Sequence, residues 1–143
     1  MRKKKALLIG KTVIVHPDIT TDPIKQAGKT ARIIDADPEN ETLMLRFPDN
    51  LYGHYKEDTI LALYPKNVLL HALHANRELI TLEEYRTITQ VFKSAAMGDN
   101  DNALRWAISA PRVMQLCTIS CYDYRQMKTE LRTAKASRKN LGQ

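Results

Sequence analysis

The chain has 143 residues, 43% of them hydrophobic and 27% charged, a balance that excludes a disordered chain and leaves room for one ordinary domain or two very small ones. No stretch approaches the roughly 18 apolar residues that a membrane span needs, and the opening MRKKKALLIG offers only residues 6–9 as an apolar segment, too little for a secretory signal. The net charge of +6 belongs to the two ends: Arg2, Lys3, Lys4 and Lys5 at the start, and Lys128, Arg132, Lys135, Arg138 and Lys139 near the close, with Glu130 the one acid between them. The middle is slightly acidic. Two cysteines without an export signal point to a reducing compartment, so a cytoplasmic location is expected.

Residues 12–16 (Thr-Val-Ile-Val-His) predict a first strand, β-branched and stopped by Pro17. Residues 17–29 form a long loop carrying Pro17, Pro23 and Gly28, and long loops often bind partners. Residues 30–36 predict a second strand, and 37–40 a polar turn that returns the chain as a hairpin. In the third strand, 42–47, Leu43, Leu45 and Phe47 alternate with Met44 and Arg46, so one face is buried. Residues 51–56 and 59–64 predict the last two strands. Five short strands with two bare edges are unstable as a flat sheet, and closure into a small barrel is the expected remedy.

Two motifs carry a resemblance. Gly28-Lys29-Thr30-Ala31-Arg32-Ile33 resembles the Gly-x-x-Gly-x-Val pattern of KOW-type barrels, with Ala31 at the second glycine, and Tyr64-Pro65-Lys66-Asn67 resembles the Pro-x-Asn that ends peptide-binding SH3 domains. The N-terminal half is thus similar to the SH3-like barrels, whose KOW type occurs in ribosomal and transcription proteins. The expected fold class is α+β: a five-stranded SH3-like β-barrel over residues 8–66, followed by a helical region over 67–139 docked on or following the barrel.

In that region Asn67 is placed to cap a helix over 68–75. Thr81-Leu82-Glu83-Glu84 spells a capping box, after which Leu82, Tyr85, Ile88, Phe92 and Ala95 continue an apolar face to Gly98. Asp99 or Asp101 caps the next helix, over 103–109. Pro111 suits the first turn of a last helix. Its stripe of Val113, Cys117, Cys121, Tyr124, Met127, Leu131 and Ala134 favours one long helix, although Thr118-Ile119-Ser120 is poor helix material and Ser120-x-x-Asp123 could restart one.

Chemistry is sparse. Gly10-Lys11-Thr12 looks like the end of a phosphate-binding P-loop, but Lys5 stands where the earlier glycine belongs and a strand follows instead of a helix. His16-Pro17-Asp18 spells the tripeptide of J-domain co-chaperones but follows a strand, whereas in that family it lies between helices. His71-x-x-His74 and Cys117-x-x-x-Cys121 could supply zinc ligands, yet both pairs sit on apolar helical stripes where packing explains them. There is no Gly-x-Ser-x-Gly elbow, and Asp35, Asp37, Glu39 and Glu41 cluster round a solvent-facing turn. The single tryptophan, Trp106, lies in the helical half, so no polyproline groove is expected. No catalytic residue, metal or cofactor is expected, and the chain is not expected to be an enzyme.

The leading expectation is a small accessory or regulatory protein that binds nucleic acid or a nucleoprotein assembly. Cations would hold phosphate and an aromatic face would stack bases. The expected contact residues are Lys3, Lys4, Lys5, Lys25, Lys29, Arg32, Tyr52, Arg132, Lys135, Arg138 and Lys139. The alternative is a protein-interaction module, self-associating through an exposed stripe of Tyr124, Met127 and Leu131 on the last helix.

Overall fold

The computed structural model describes residues 7–130. Strand β1 (Thr12–Val15) is central, antiparallel to β2 (Thr30–Asp37) on one side and to β5 (Ile60–Leu63) on the other. β3 (Thr42–Arg46) and β4 (Tyr52–Lys56) continue the meander outward from β2. A short β6 (Thr118–Ser120) pairs with the far side of β5, giving one six-stranded antiparallel sheet in the order β4-β3-β2-β1-β5-β6.

Alternation decides which side chains face in. Ala31 and Ile33 on β2 are buried, opposite Val13 and Leu45 across the ladder for Ala31 and Ile33 respectively. The register then shifts between Ile33 and Asp35, with Ile34 the extra residue of a β-bulge. The bulge resets the phase of the strand, so that Ala36, not Asp35, turns inward opposite buried Leu43. Without it, Ala36 would face solvent.

The inner face of the sheet carries Val13, Val15, Ile33, Leu43, Leu45, Phe47, Tyr55 and Ile60, all buried in one cluster. The Phe47 and Tyr55 rings meet edge to face at 6.1 Å. The loop between β1 and β2 folds over one edge of this core. Tyr55 donates its hydroxyl to Asp22 at 2.6 Å, and Asp22 accepts a second hydrogen bond from the Ala27 amide at 2.7 Å. Burial tends to raise the Asp22 carboxyl, but these bonds and amide bonds from Gln26 and Ile24 outweigh it and hold it below the ordinary value. Ile24 lies against Gly53, where an added Cβ would stand 3.1 Å from its methyl carbon and 3.0 Å from the Tyr55 ring, so β4 needs a glycine there.

Helix α1 (Lys66–Ala75) follows β5, then come α2 (Leu82–Ala96), α3 (Asn100–Ala107) and α4 (Pro111–Cys117). The Thr81 capping box forms, with the Glu84 amide donating to Thr81 Oγ1 at 3.1 Å and the Thr81 amide to the Glu84 carboxylate at 2.9 Å. Asp99 caps α3 through the Asn102 amide. These helices share a second cluster of Leu69, Ile88, Val91, Ala103, Ala107, Val113 and Cys117. Leu104 of α3 packs on Ile14 and Leu61, on the outer face of β1 and β5.

Several expectations need correction. The five-stranded closed barrel is replaced by a six-stranded open sheet, because β6 takes the free edge of β5 and no ladder joins β4 to β6. The single long last helix is broken after Cys117. Thr118-Ile119-Ser120 joins the sheet, Ser120 Oγ accepts from the Asp123 amide at 3.0 Å, and α5 begins at 121 and runs through 130. β-branched Thr118 and Ile119 gain a ladder in β6 that a helix would deny them. Helix α1 starts ahead of the expected Asn67 cap, with Pro65 at the N-cap and no capping side chain. On α2, Leu82 and Tyr85 are exposed, while Ile88 and Val91 pack inward.

Helix α5 seals the open sheet. Cys121 and Tyr124 are buried in the inner-face cluster together with Ile119, and Met127 packs against it. Tyr124 and Met127 are thus committed to the core and do not form the exposed stripe expected for self-association; Leu131 and Ala134 lie outside the described residues. Arg125 spans to Glu57, in the 3-10 turn after β4, through Nε at 2.9 Å and Nη2 at 2.8 Å. Both partners are buried. This bidentate pair, not a backbone ladder, connects the β4 end of the sheet to the segment after β6.

Candidate functional site

Five segments meet at a cleft of about 650 Å³: the start of β1, the middle of β2, the β5–α1 junction, the C-terminal end of α2 with the start of α3, and α5. Apolar Leu69, Phe92 and Ala95 line one part of it. Among the described residues the charged lining consists of Lys11, Arg32, Lys66 and Lys128, with no Asp or Glu. Four cations around one concavity, backed by an apolar wall, focus a positive potential into it.

Tyr124 organises two of these cations. Lys11 Nζ donates to the Tyr124 hydroxyl at 3.3 Å and stands 4.4 Å from the ring centroid. Lys128 Nζ approaches the same ring at 5.6 Å. Tyr124 and Lys128 lie one helical turn apart on α5, so both reach the cleft when α5 docks. The ring quadrupole offsets part of the repulsion between the two ammonium groups but supplies no net charge. The first turn of α1 begins at the cleft wall with Pro65 and Lys66, and its leading amides have no side-chain cap.

The positive lining continues onto the outer face of the sheet. Thr12 is opposite Arg32, Arg32 opposite Arg46, and Arg46 opposite Tyr52, one residue from each of four adjacent strands. Opposed residues project to the same side, so these four form a row leading from the cleft across β2, β3 and β4. Arg32, Arg46 and Tyr52 are exposed; α3 packs Leu104 over β1 and β5 and reaches β2 at Thr30 through Asp101. Arg46 donates to the Asn50 side chain at 3.4 Å. Asp101 lines a groove together with Thr12, Arg32 and Arg46, and is engaged by the Thr30 hydroxyl and by Arg105 at 3.3 Å.

Of the residues expected from sequence, Arg32 lines the cleft and Tyr52 ends the row. Lys25 and Lys29 are exposed on the β1–β2 loop and are not among the cleft-lining residues. Lys3, Lys4, Lys5, Arg132, Lys135, Arg138 and Lys139 lie outside the described residues. Sequence reasoning missed Lys11, Lys66, Lys128 and Tyr124 as one site. The visible signals were the Tyr124-x-x-x-Lys128 spacing on a helix and the likeness of Gly10-Lys11-Thr12 to a phosphate loop; Lys66 carried none.

Two other concavities are chemically different. A groove of about 570 Å³ between α1 and α2 is lined by Leu70, Leu73, Ile80, Leu82 and Tyr85 with His74 and Arg77. A third, about 640 Å³, runs between the β1–β2 loop and β4, and mixes Asp18 and Asp58 with His16, His54 and Lys56. Among the described residues no three His, Cys, Asp or Glu side chains converge as a metal-ligand set. Cys117 belongs to the helical cluster and Cys121 to the sheet cluster. Burial raises both thiols from 9.0 to about 12, so they are held as neutral packing groups. Among the described residues no helix is long and apolar enough to cross a membrane. Neither the family models nor the curated proteins and solved structures compared with this chain gave a match.

Proposed function

We propose that the protein binds nucleic acid without catalysing a reaction, as an accessory or regulatory member of a nucleoprotein assembly. The observation that carries this reading is the cleft itself, where Lys11, Arg32, Lys66 and Lys128 converge with no carboxylate among the described lining residues. A phosphodiester backbone is the ligand whose repeated negative charge matches such a lining and its continuation through Arg46. The apolar wall and the aromatic ring beneath the two lysines reduce local screening by water, which strengthens each cation's pull on phosphate.

The test is binding of a labelled oligonucleotide followed by fluorescence anisotropy across a salt series. About four phosphate contacts give a log–log salt slope of roughly −3 to −4. Lys66→Ala and Lys128→Ala are each expected to shallow that slope by about 0.7–0.9, one phosphate contact apiece. Affinity that stays level from low to high salt, or slopes untouched in both variants, rejects the proposal.

A further inference from the structure

The geometry points to a single-stranded polynucleotide as the ligand, its phosphates held in the cleft and one of its bases stacked on Tyr52. This inference rests on the cleft reading above and adds a second element, the aromatic end of the arginine row. Tyr52 is 52% exposed, although it sits on a regular strand of a well-packed sheet. Its strand neighbour on the inner side, Tyr55, is buried, so only Tyr52 presents an accessible aromatic ring at this end of the row. Arg46 lies directly across from it. An exposed tyrosine beside an arginine gives a base a π-face with a guanidinium alongside.

Spacing and accessibility both select for a single strand. From Thr12 to Tyr52 the row crosses three strand intervals of about 4.8 Å, roughly 14 Å in all. That distance corresponds to about four nucleotides at a stacked spacing of about 3.4 Å, and to fewer in an extended strand. A duplex keeps its bases stacked on one another and cannot offer one to Tyr52, and its phosphates are fixed on a rigid cylinder that meets a recessed cleft only at the rim. A single strand can place a phosphate inside the cleft and swing an unpaired base onto the ring. The arrangement also accounts for Arg32 facing Arg46: two like charges directly opposed destabilise a sheet, and a phosphate lying between them reverses the sign of that interaction.

The experiment uses the full chain with oligouridylate and oligothymidylate of roughly ten nucleotides, and a mixed-sequence duplex of the same length. The wild-type protein is expected to bind the single strands more tightly than the duplex at equal salt. Tyr52→Ala is expected to weaken single-strand binding about five-fold to a hundred-fold without changing the salt slope, while Tyr52→Phe, which keeps the ring, retains affinity. Binding of either sugar type meets the expectation, and the tighter of the two identifies the strand. Equal affinity for duplex and single strand, or a Tyr52→Ala variant that binds like wild type, overturns the inference. If steep salt dependence persists in that case, the cleft reading survives alone; if salt dependence is absent too, both fall.

Discussion

The two faces of the sheet are built to opposite ends. The inner face is apolar and sealed: Val13, Val15, Ile33, Leu43 and Leu45 are buried beneath residues contributed by α5 and by Leu8. The outer face is divided. Over β1 and β5 it packs on Leu104 of α3, while over β2, β3 and β4 it presents Arg32, Arg46 and Tyr52 to solvent. On the inner side the Arg125–Glu57 ion pair is neutralised within itself, whereas the outer row has two opposed arginines, and Asp101 beside them is held by Thr30 and Arg105. Charge inside is closed off within the fold, and charge outside is exposed to solvent. A substitution should therefore act on stability or on binding according to the face it strikes.

The largest expected effect is on the inner side. Arg125→Ala leaves Glu57 buried and unpaired and should lower unfolding free energy by about 3–5 kcal/mol, read from the urea midpoint. Replacing both partners with apolar residues (Arg125→Met with Glu57→Leu) should recover most of that loss, because the penalty comes from the orphaned charge. A double variant as unstable as the single one would mean that the pair has a role beyond mutual neutralisation.

An intermediate effect concerns the buried thiols. Their folded values are raised from 9.0 to about 12, so the native state keeps these protons longer than the unfolded chain does. Their contribution is complete below pH 9.0 and is lost as pH climbs toward 12. Tyr55, raised by burial and then by its hydrogen bond to Asp22, adds to the same alkaline loss from its ordinary value of 10.0 upward. Melting temperatures measured through this range should fall less steeply in Cys121→Ala than in the parent. Identical slopes would show that the thiol stays protonated equally in both states.

The smallest effect has the opposite sign and sharpens the contrast most. Arg46→Thr removes a like-charge pair and places a β-branched residue on a strand, so stability should rise by about 0.2–1 kcal/mol. Oligonucleotide affinity should fall in the same variant. A gain in both, or a loss in both, would break the division of labour between the two faces.

Most of the meander could be read from the chain. The alternation of Leu43, Leu45 and Phe47 placed β3 correctly, and the opposite projection of Tyr52 and Tyr55 followed from strand period alone. The break at Thr118 could not be read from periodicity. Val113 and Cys117 are buried in the helical cluster and Cys121 and Tyr124 in the sheet cluster, yet their spacing continues as one helical stripe. Periodicity reports that a residue is buried, not what buries it. The expected closure into a barrel does not occur for a related reason: bare edges pose the problem, but a distant segment, β6, covers the β5 edge and the sheet stays open. The site was half legible. Arg32 and Tyr52 follow from alternation on known strands, whereas Lys11, Lys66 and Lys128 share a cleft only because three separate segments pack together. Of the dense positive charge at the chain ends, Lys128 lies among the described residues and lines the cleft, and the rest lies outside them.

The docking of α5 also sets an order of assembly. Leu8 near one end of the chain and Tyr124 near the other belong to the same cluster. During synthesis the meander emerges whole by Leu63, yet its concave side stays uncovered until the helices after it have been made and α5 arrives. Such distant closure raises contact order and slows folding, and until α5 docks the apolar inner face lacks the cover that Cys121 and Tyr124 supply. The same late helix brings Lys128, so this lysine reaches the cleft only when the inner face is covered, and on the proposed reading folding precedes binding.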